Sequence, residues 1–220
     1  MIKAIIFDFD GVIIESAETK TKTFRRLFER SYPEEVAAIV NYHMQNAGIS
    51  RYVKFRHIYT NILKQPLSET QEDELGKRFS EIALDEILNA PFVLGVKEFF
   101  LKNQKKYYMF IASGTPEEEL KSILDHRRID HLFKEVHGSP KQKHEIIQDI
   151  MDRYALSRKE IVFIGDAESD RCASEKAGIN FIARITSQNG QELQNSLWRM
   201  GDFSELDGIL EDIRNDYAAR

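Results

Sequence analysis

The stretch "KAIIFDFDGVIIES", residues 3–16, joins a strand-like apolar run to two aspartates and a glycine. Residues two apart on a strand face the same side, so Asp8 and Asp10 would project together from its carboxyl end. Two like charges this close repel each other and resist burial, so folding alone gives no reason for them. A bound hard cation such as Mg²⁺ would explain the two carboxylates. A solvent-exposed Asp-Gly turn without any ligand is the plainer alternative.

The composition is that of an ordinary globular protein: 220 residues, 42% hydrophobic and 30% charged, with a net charge of −5. The negative charge argues against nucleic acid or an acidic membrane as a partner. No apolar run approaches the ~20 residues of a membrane helix. A single cysteine, Cys172, fits a reducing compartment. We therefore expect a cytoplasmic protein, a monomer or weak homodimer, that binds neither nucleic acid nor membrane.

Four runs rich in Val, Ile, Phe and Tyr predict strands that are buried on both faces of a parallel sheet. They are residues 2–9, 107–113, 160–166 and 179–185. Helical patterns follow at 95–104, 116–128, 141–156 and about 204–217, and residues 186–196 have a loop composition. This alternation predicts an α/β fold with a Rossmann-like, doubly wound parallel sheet.

The interval 16–92 interrupts the alternation, because it contains no convincing strand. Its patterns predict four helices, at roughly 17–31, 33–46, 51–64 and 68–89. We therefore predict an all-helical cap domain, 16–92, inserted into a catalytic core formed by 1–15 and 93–220. Such an insertion would lie over the carboxyl ends of the strands, where open α/β sheets bind ligands.

Polar groups also lie at the ends of two other predicted strands and at the start of a helix. Ser113 and Gly114 precede a helix start, Lys143 begins another, and Asp166 and Asp170 follow the strand at 160–166. Taken singly, these groups are ordinary caps, a solvated lysine and an acidic helix start. Because the carboxyl ends of parallel strands share one edge, their convergence with the first two aspartates indicates a Mg²⁺-assisted phosphoryl-transfer site.

The order of these motifs resembles that of the haloacid dehalogenase superfamily. The matching segments are DFDGV, the strand that ends in Ser113, G-S-P-x-x-K ending in Lys143, and GDAESD. The helices inserted after the first motif are similar to the cap of subclass I members. The resemblance covers nearly the whole chain.

The resemblance implies a role for each motif residue. Asp8 would be the nucleophile that forms an aspartyl-phosphate, and Asp10 the acid and then the base. Phosphate would be held by Ser113, the Gly114 amide and Lys143. Mg²⁺ would be held by the side chains of Asp8 and Asp166, the backbone carbonyl of Asp10, and Asp170 as a ligand or as a group that orients one. The residue at the position of Glu168 varies in the family, and Glu168 would at most help to orient the metal ligands.

The segment 46–57 is similar to the family's cap specificity loop, with Gly48, Ser50 and Arg51 at the matching positions. Arg51 would either bind a second anionic group of the substrate or lie in solvent at a helix start. The next polar residues, Lys54, Arg56 and His57, are expected on the surface. Cys172 is expected to be a small core residue rather than a nucleophile.

The resulting hypothesis is a Mg²⁺-dependent phosphatase that hydrolyses a small phosphomonoester, either a sugar phosphate or a phosphorylated acid. A phosphomutase of the β-phosphoglucomutase type is the alternative, although those enzymes carry a histidine ten residues after the second aspartate, where this chain has Lys20. A capped phosphate-binding or regulatory domain without turnover is a third possibility. The intact pair of Asp8 and Asp10 argues against this third possibility. A cap would also disfavour bulky phosphorylated substrates, such as nucleic acids or proteins.

Overall fold

Six parallel strands form the central sheet of the computed structural model, which describes residues 1–187, 189 and 191–219. They are β1 (Ala4–Phe7), β2 (Tyr108–Pro116), β3 (Glu135–Ser139), β4 (Ile161–Gly165), β5 (Asn180–Arg184) and β6 (Trp198–Met200). Their spatial order is β3-β2-β1-β4-β5-β6, so the first strand lies in the middle of the sheet. The predicted fold class is confirmed.

Helices cover the sheet and fill the interval that follows β1. The first group is α1 (Ala17–Phe28), α2 (Val36–Gln45), α3 (Arg51–His57), which continues into a π-helical turn (Ile58–Leu63), and α4 (Glu69–Asn89). The second group is α5 (Val96–Asn103), α6 (Glu117–His126), α7 (Lys143–Arg153), α8 (Glu168–Ala177), α9 (Gln191–Gln194) and α10 (Leu206–Ala219). The first group corresponds to the four helices expected between 16 and 92.

The chain enters and leaves the first helical group through two segments that lie side by side. The Glu15 N–H donates to the Pro91 carbonyl over 2.9 Å, and the Val93 N–H donates to the Ile13 carbonyl over 3.1 Å. The polypeptide chain therefore passes between the sheet and these helices through two neighbouring segments. The division into a core and a cap at these positions stays a prediction.

Two strands, β3 and β6, were absent from the sequence-based prediction. β3 lies at an edge of the sheet and includes the partly buried His137, while β6 has only three residues, with Arg199 exposed at its centre. Neither is a continuous apolar run, which was the pattern used. The predicted loop 186–196 contains α9, and its residues Gln188 and Gly190 lie outside the described part of the chain.

Alternate residues of β1 enter two different cores, one on each face of the sheet. Ile5 and Phe7 belong to the larger core, whereas Ala4 and Ile6 belong to the smaller one against α7 and α8. In the larger core the ring of Phe100 packs edge-on against Phe7, with centroids 5.3 Å apart. Because both faces of β1 are covered, its carboxyl end is fixed from both sides.

Replacing Phe100 by alanine should lower the free energy of unfolding by about 3–5 kcal/mol, because it leaves a cavity among tightly packed rings. The neighbouring Leu101 is 64% exposed and is the matched control. Leu101→Ala should change the stability by less than about 0.5 kcal/mol. Urea unfolding of both variants measures the difference; equal midpoints for the two would contradict this account of the core.

Candidate active site

Three carboxylates meet where β1 and β4 end. Asp8 follows β1, Asp166 follows β4 and Asp170 lies in the first turn of α8, and one oxygen from each lies within 4.8 Å of the others. The two strands are neighbours, with Phe7 paired to Ile164, so their carboxyl ends coincide. Three clustered carboxylate oxygens fit a hard divalent cation. The residues present can therefore hold a metal.

The ammonium of Lys143 lies between two of these acids. Its Nζ is 2.9 Å from Asp8 Oδ2 and 2.5 Å from Asp170 Oδ1, and all three side chains are buried. Burial opposes the charge, but Asp170 and Asp8 outweigh it and raise the pKa of Lys143 above its ordinary value. Lys143 is the first residue of α7, where a cation opposes the helix dipole. The two carboxylates offset that cost.

One ammonium does not neutralise three acids, and the pKa values reflect this. Burial raises the pKa of Asp166 well above 3.8, and the charges of Asp8 and Asp170 raise it further. Burial also raises the pKa of Asp170 to about 7, even though Lys143 opposes the shift. Part of this cluster therefore keeps a proton that a bound cation would displace.

Asp10 has a separate set of partners. Its Oδ1 accepts a hydrogen bond from Ser16 Oγ over 2.7 Å, and its Oδ2 accepts one from Thr115 Oγ1 over 2.9 Å. The Nζ of Lys20, from α1, also contacts Oδ2 and donates to Thr115 Oγ1 over 2.8 Å. Burial raises the pKa of Asp10, but Lys20 and then the hydroxyls lower it below its ordinary value. Asp10 is thus ionised.

Two glycines allow the backbone to approach the site. Gly11 has φ of +76°, and a Cβ on it would lie 2.0 Å from Asp166 Oδ2. A Cβ on Gly114 would lie 2.5 Å from the carbonyl oxygen of Gly48 in the cap. Any larger residue at either position would displace the carboxylate or the cap loop.

The predicted phosphate-binding residues lie at the same edge of the sheet. β2 pairs with β1 through Ile111 and Phe7, so Ser113 follows that pair by two residues. The hydroxyl of Ser113 is buried and accepts a hydrogen bond from the Thr115 N–H over 3.2 Å. Their role in binding phosphate stays a prediction.

The predicted specificity loop covers this edge. Gly48 is so close to α8 that a Cβ would lie 2.3 Å from Ser169 Oγ, and that hydroxyl donates to the Ala47 carbonyl over 2.9 Å. Ser50 directly precedes α3. The loop therefore reaches across to the core, and its role in substrate choice stays a prediction.

Arg51 is buried and bound by protein groups. Its Nη2 donates to Glu119 Oε1 over 2.6 Å and its Nη1 to Ser80 Oγ over 2.8 Å. The Ser80 hydroxyl donates in turn to Glu119 Oε2 over 2.6 Å. Because Ser80 belongs to α4 and Glu119 to α6, this network joins α3 and α4 to α6. In this arrangement Arg51 is not solvated, and its charge is already paired.

Two expectations about side-chain burial were wrong. Lys54 was expected on the surface but is only 3% exposed, because α3 turns it inward against α1 and α2. Cys172 was expected in the core but is exposed. The buried face of α8 passes through Ala173 and Ala177, one residue further along.

The partners of Asp10 were missed as functional residues. Lys20 was noted only as a replacement for a histidine, and neither Ser16 nor Thr115 was singled out. Their signal was present: Ser16 and Lys20 flank the first turn of the helix that follows the aspartate motif, and Thr115 follows the strand-end Ser113-Gly114 pair.

Comparison with known proteins gives a family. The model of the haloacid dehalogenase-like hydrolase family matches residues 5–184. The chain belongs to this family. The predicted family and hydrolase class are therefore confirmed.

Individual family members are distant in sequence. A phosphoglycolate phosphatase of Haemophilus influenzae is 23% identical over 222 residues, covering 94% of this chain and 98% of that protein. The crystal structure of a β-phosphoglucomutase from Clostridium difficile superposes with a TM-score of 0.80 at 18% identity and covers 100% of both chains. A haloacid dehalogenase-like hydrolase from Streptococcus pneumoniae superposes with a TM-score of 0.73 at 19% identity, and the match covers 95% of this chain and 98% of that chain. These structural likenesses show the fold.

Within the described part of the chain, no helix combines the length and the apolar character that crossing a bilayer requires.

The thermal stabilisation by Mg²⁺ should grow with pH. The raised pKa of Asp170 stabilises the folded state below pH 3.8, and this contribution is lost as pH rises towards about 7. Mg²⁺ would then bind the ionised acids, so the gain in Tm should be small at pH 5 and largest at pH 8. Unfolding with Mg²⁺ or EDTA across this range measures it. A constant gain, or an unchanged profile in Asp170→Asn, would contradict the assignment.

Proposed function

We propose that this protein is a Mg²⁺-dependent phosphatase that hydrolyses a small phosphomonoester through an aspartyl-phosphate on Asp8. The observation that carries the proposal is the buried Asp8 carboxylate, held by Lys143 and clustered with Asp166 and Asp170 under a cap loop. Membership of a hydrolase family supports it.

In the first step an oxygen of Asp8 attacks phosphorus. The Phe9 N–H holds Asp8 Oδ1 over 2.7 Å, and Lys143 holds Oδ2. The phosphorus–oxygen bond to the alcohol breaks as the bond to Asp8 forms, and Asp10 gives its proton to the leaving oxygen. Lys143, with Ser113 and the Gly114 amide, would hold the phosphate oxygens.

In the second step water attacks the aspartyl-phosphate, and Asp10 takes the proton from that water. The ionised Asp10 beside Lys20 suits this half of the cycle. In the first half, the negative phosphate beside Asp10 raises its pKa and favours the protonated acid. Mg²⁺, when held by the side chains of Asp8, Asp166 and Asp170 and the Asp10 carbonyl, supplies Lewis-acid stabilisation of the phosphate charge.

A phosphorylated short carboxylic acid, such as phosphoglycolate, is the substrate that we propose. The close approach of Gly48 to Gly114 and of Ala47 to Ser169 would obstruct a polymeric substrate, which favours a small molecule. Several distant relatives are named phosphoglycolate phosphatases. We also propose that the protein acts in the cytoplasm as a monomer or weak homodimer.

Phosphomutase activity is the second candidate. The high structural similarity to a β-phosphoglucomutase supports the fold only. Lys20, bound to Asp10, occupies the position at which those mutases carry a histidine, and this favours hydrolysis. A sugar phosphate incubated with the protein would distinguish the two, because a mutase yields an isomer without releasing phosphate.

Asp8→Asn should reduce phosphate release from metabolite phosphates by at least about 10³-fold while the thermal unfolding stays cooperative, because the nucleophile is lost. Asp130→Asn changes an exposed aspartate and is the matched control. EDTA should stop the wild-type reaction and Mg²⁺ should restore it. Activity retained in Asp8→Asn would remove the proposed nucleophile.

Asp10→Asn should slow hydrolysis of alkyl phosphates by about 10²–10⁴-fold and affect p-nitrophenyl phosphate much less. The reason is that an alkoxide needs a proton to leave, whereas p-nitrophenolate leaves without one. The later hydrolysis of the aspartyl-phosphate is common to both substrates. The formation of the aspartyl-phosphate is therefore measured alone, in the first turnover, by rapid quench. Equal losses on the two esters in that turnover would contradict the acid role.

A further inference from the structure

Lys54 is a buried cation that the proposed reaction does not use. Its Nζ lies 3.0 Å from His43 Nδ1 and 3.4 Å from the His43 carbonyl, and 5.5 Å from the centre of the Phe24 ring. Burial lowers the pKa of His43 to about 2, and the charge of Lys54 adds to this, so the imidazole is neutral and accepts the hydrogen bond. The other ring nitrogen bonds Thr21 Oγ1 over 3.2 Å, which fixes the ring.

Lys54 has no acidic partner within the described residues. Lys20 is paired with Asp10, and Lys143 with Asp8, but no carboxylate oxygen in the described part of the chain lies within 4.0 Å of Lys54 Nζ. An ammonium has three N–H donors, and the two contacts with His43 leave one of them. A buried charge without a counter-charge is costly. An anionic ligand would remove that cost.

Lys54 lies near the catalytic groups. Burial lowers its pKa well below 10.5, and repulsion from Lys20 and Lys143 lowers it further, while Asp10 opposes the shift. The contacts agree with this: His43, which binds Lys54, also contacts Thr21, the residue after Lys20, and a Cβ on Gly48 in the loop before α3 would lie 3.3 Å from Lys143 Nζ. Lys54 lies one turn after Ser50, whose carbonyl accepts the Lys54 N–H, and so follows directly on the loop that covers the site.

The other buried cation of α3 is already engaged. Arg51 is bound to Glu119 and Ser80, as described above. A substrate anion at Arg51 would have to displace Glu119, whereas one at Lys54 would meet an unpaired donor. Of the two cations, Lys54 therefore has the chemistry of a recognition residue and Arg51 that of a link between cap and core.

We propose that Lys54 binds the carboxylate of the phosphorylated acid while the catalytic residues hold its phosphate. This rests on the proposed function and assigns the residue that distinguishes an acid from a neutral ester. His43 is a positioning residue, because it holds the Lys54 ammonium at a fixed place through a neutral ring nitrogen.

Two substrates of nearly the same size test the proposal: 2-phosphoglycolate and 2-hydroxyethyl phosphate, in which a CH₂OH group replaces the carboxylate. Lys54→Met should raise the KM for 2-phosphoglycolate by about 10–100-fold, the loss expected for a charge-assisted hydrogen bond. The KM and kcat for 2-hydroxyethyl phosphate should stay within about twofold. The methionine side chain has a similar length and no charge, so the fold should persist.

Two further variants serve as controls. Arg56→Gln changes an exposed cation on the same helix, which is paired with Glu72, and should leave both substrates unaffected. Arg51→Gln removes the link to Glu119 and should affect both substrates to the same degree. A loss confined to 2-phosphoglycolate in Lys54→Met alone supports the proposal.

An equal change on both substrates in Lys54→Met, or no change on either, would overturn it. If that variant does not fold, equal KM values of the wild-type protein for the two esters would overturn it as well. If the wild type hydrolyses neither ester, the proposed function fails. In that case 2-phosphoglycolate should still protect the wild type, and not Lys54→Met, against thermal unfolding; equal protection of the two would overturn the carboxylate site.

Discussion

The contact between the Lys143 ammonium and the carboxylates of Asp8 and Asp170 is the constraint on which the site depends. It joins residues that follow β1, begin α7 and lie in α8, and so fixes three elements at one edge of the sheet. In a buried setting the repulsion among three acids within 4.8 Å is large, and a single ammonium offsets only part of it. The fold therefore gathers more acids at a defined place than one ammonium neutralises, and part of the cluster keeps a proton that a bound divalent cation would displace.

The first helical group is held to this edge by polar contacts as well as by the larger apolar core, which it shares with the sheet. Lys20 reaches Asp10, Arg51 reaches Glu119, and the Ala47 carbonyl receives the Ser169 hydroxyl. These contacts bring the buried acids and residues of the first helical group together, and charges interact strongly where water is excluded.

Much of the fold could be predicted because buried parallel strands are continuous apolar runs, as in β1 and β4. The positions of the acids could also be predicted, since the carboxyl ends of such strands share an edge. The edge strand β3 could not, because Val136 is its one large apolar residue. The position of Lys54 depends on how α3 packs against α1 and α2, which no local pattern reports. The error at Cys172 was a shift of one residue in the phase of α8.

If the cap opens and closes and Lys54 binds a substrate carboxylate, as proposed, the unpaired charge of Lys54 would make closure depend on the substrate. With the cap open, water can solvate the ammonium at little cost; with the cap closed, the ammonium is desolvated among His43 and Phe24. A substrate carboxylate removes that cost only in the closed state, so its binding free energy is greater there than in the open one. A ligand shifts a conformational equilibrium by its difference in affinity for the two states. A buried lysine without an acidic partner would thus couple closure of the cap to a doubly anionic substrate, whereas a lysine paired with a protein carboxylate would allow closure without one.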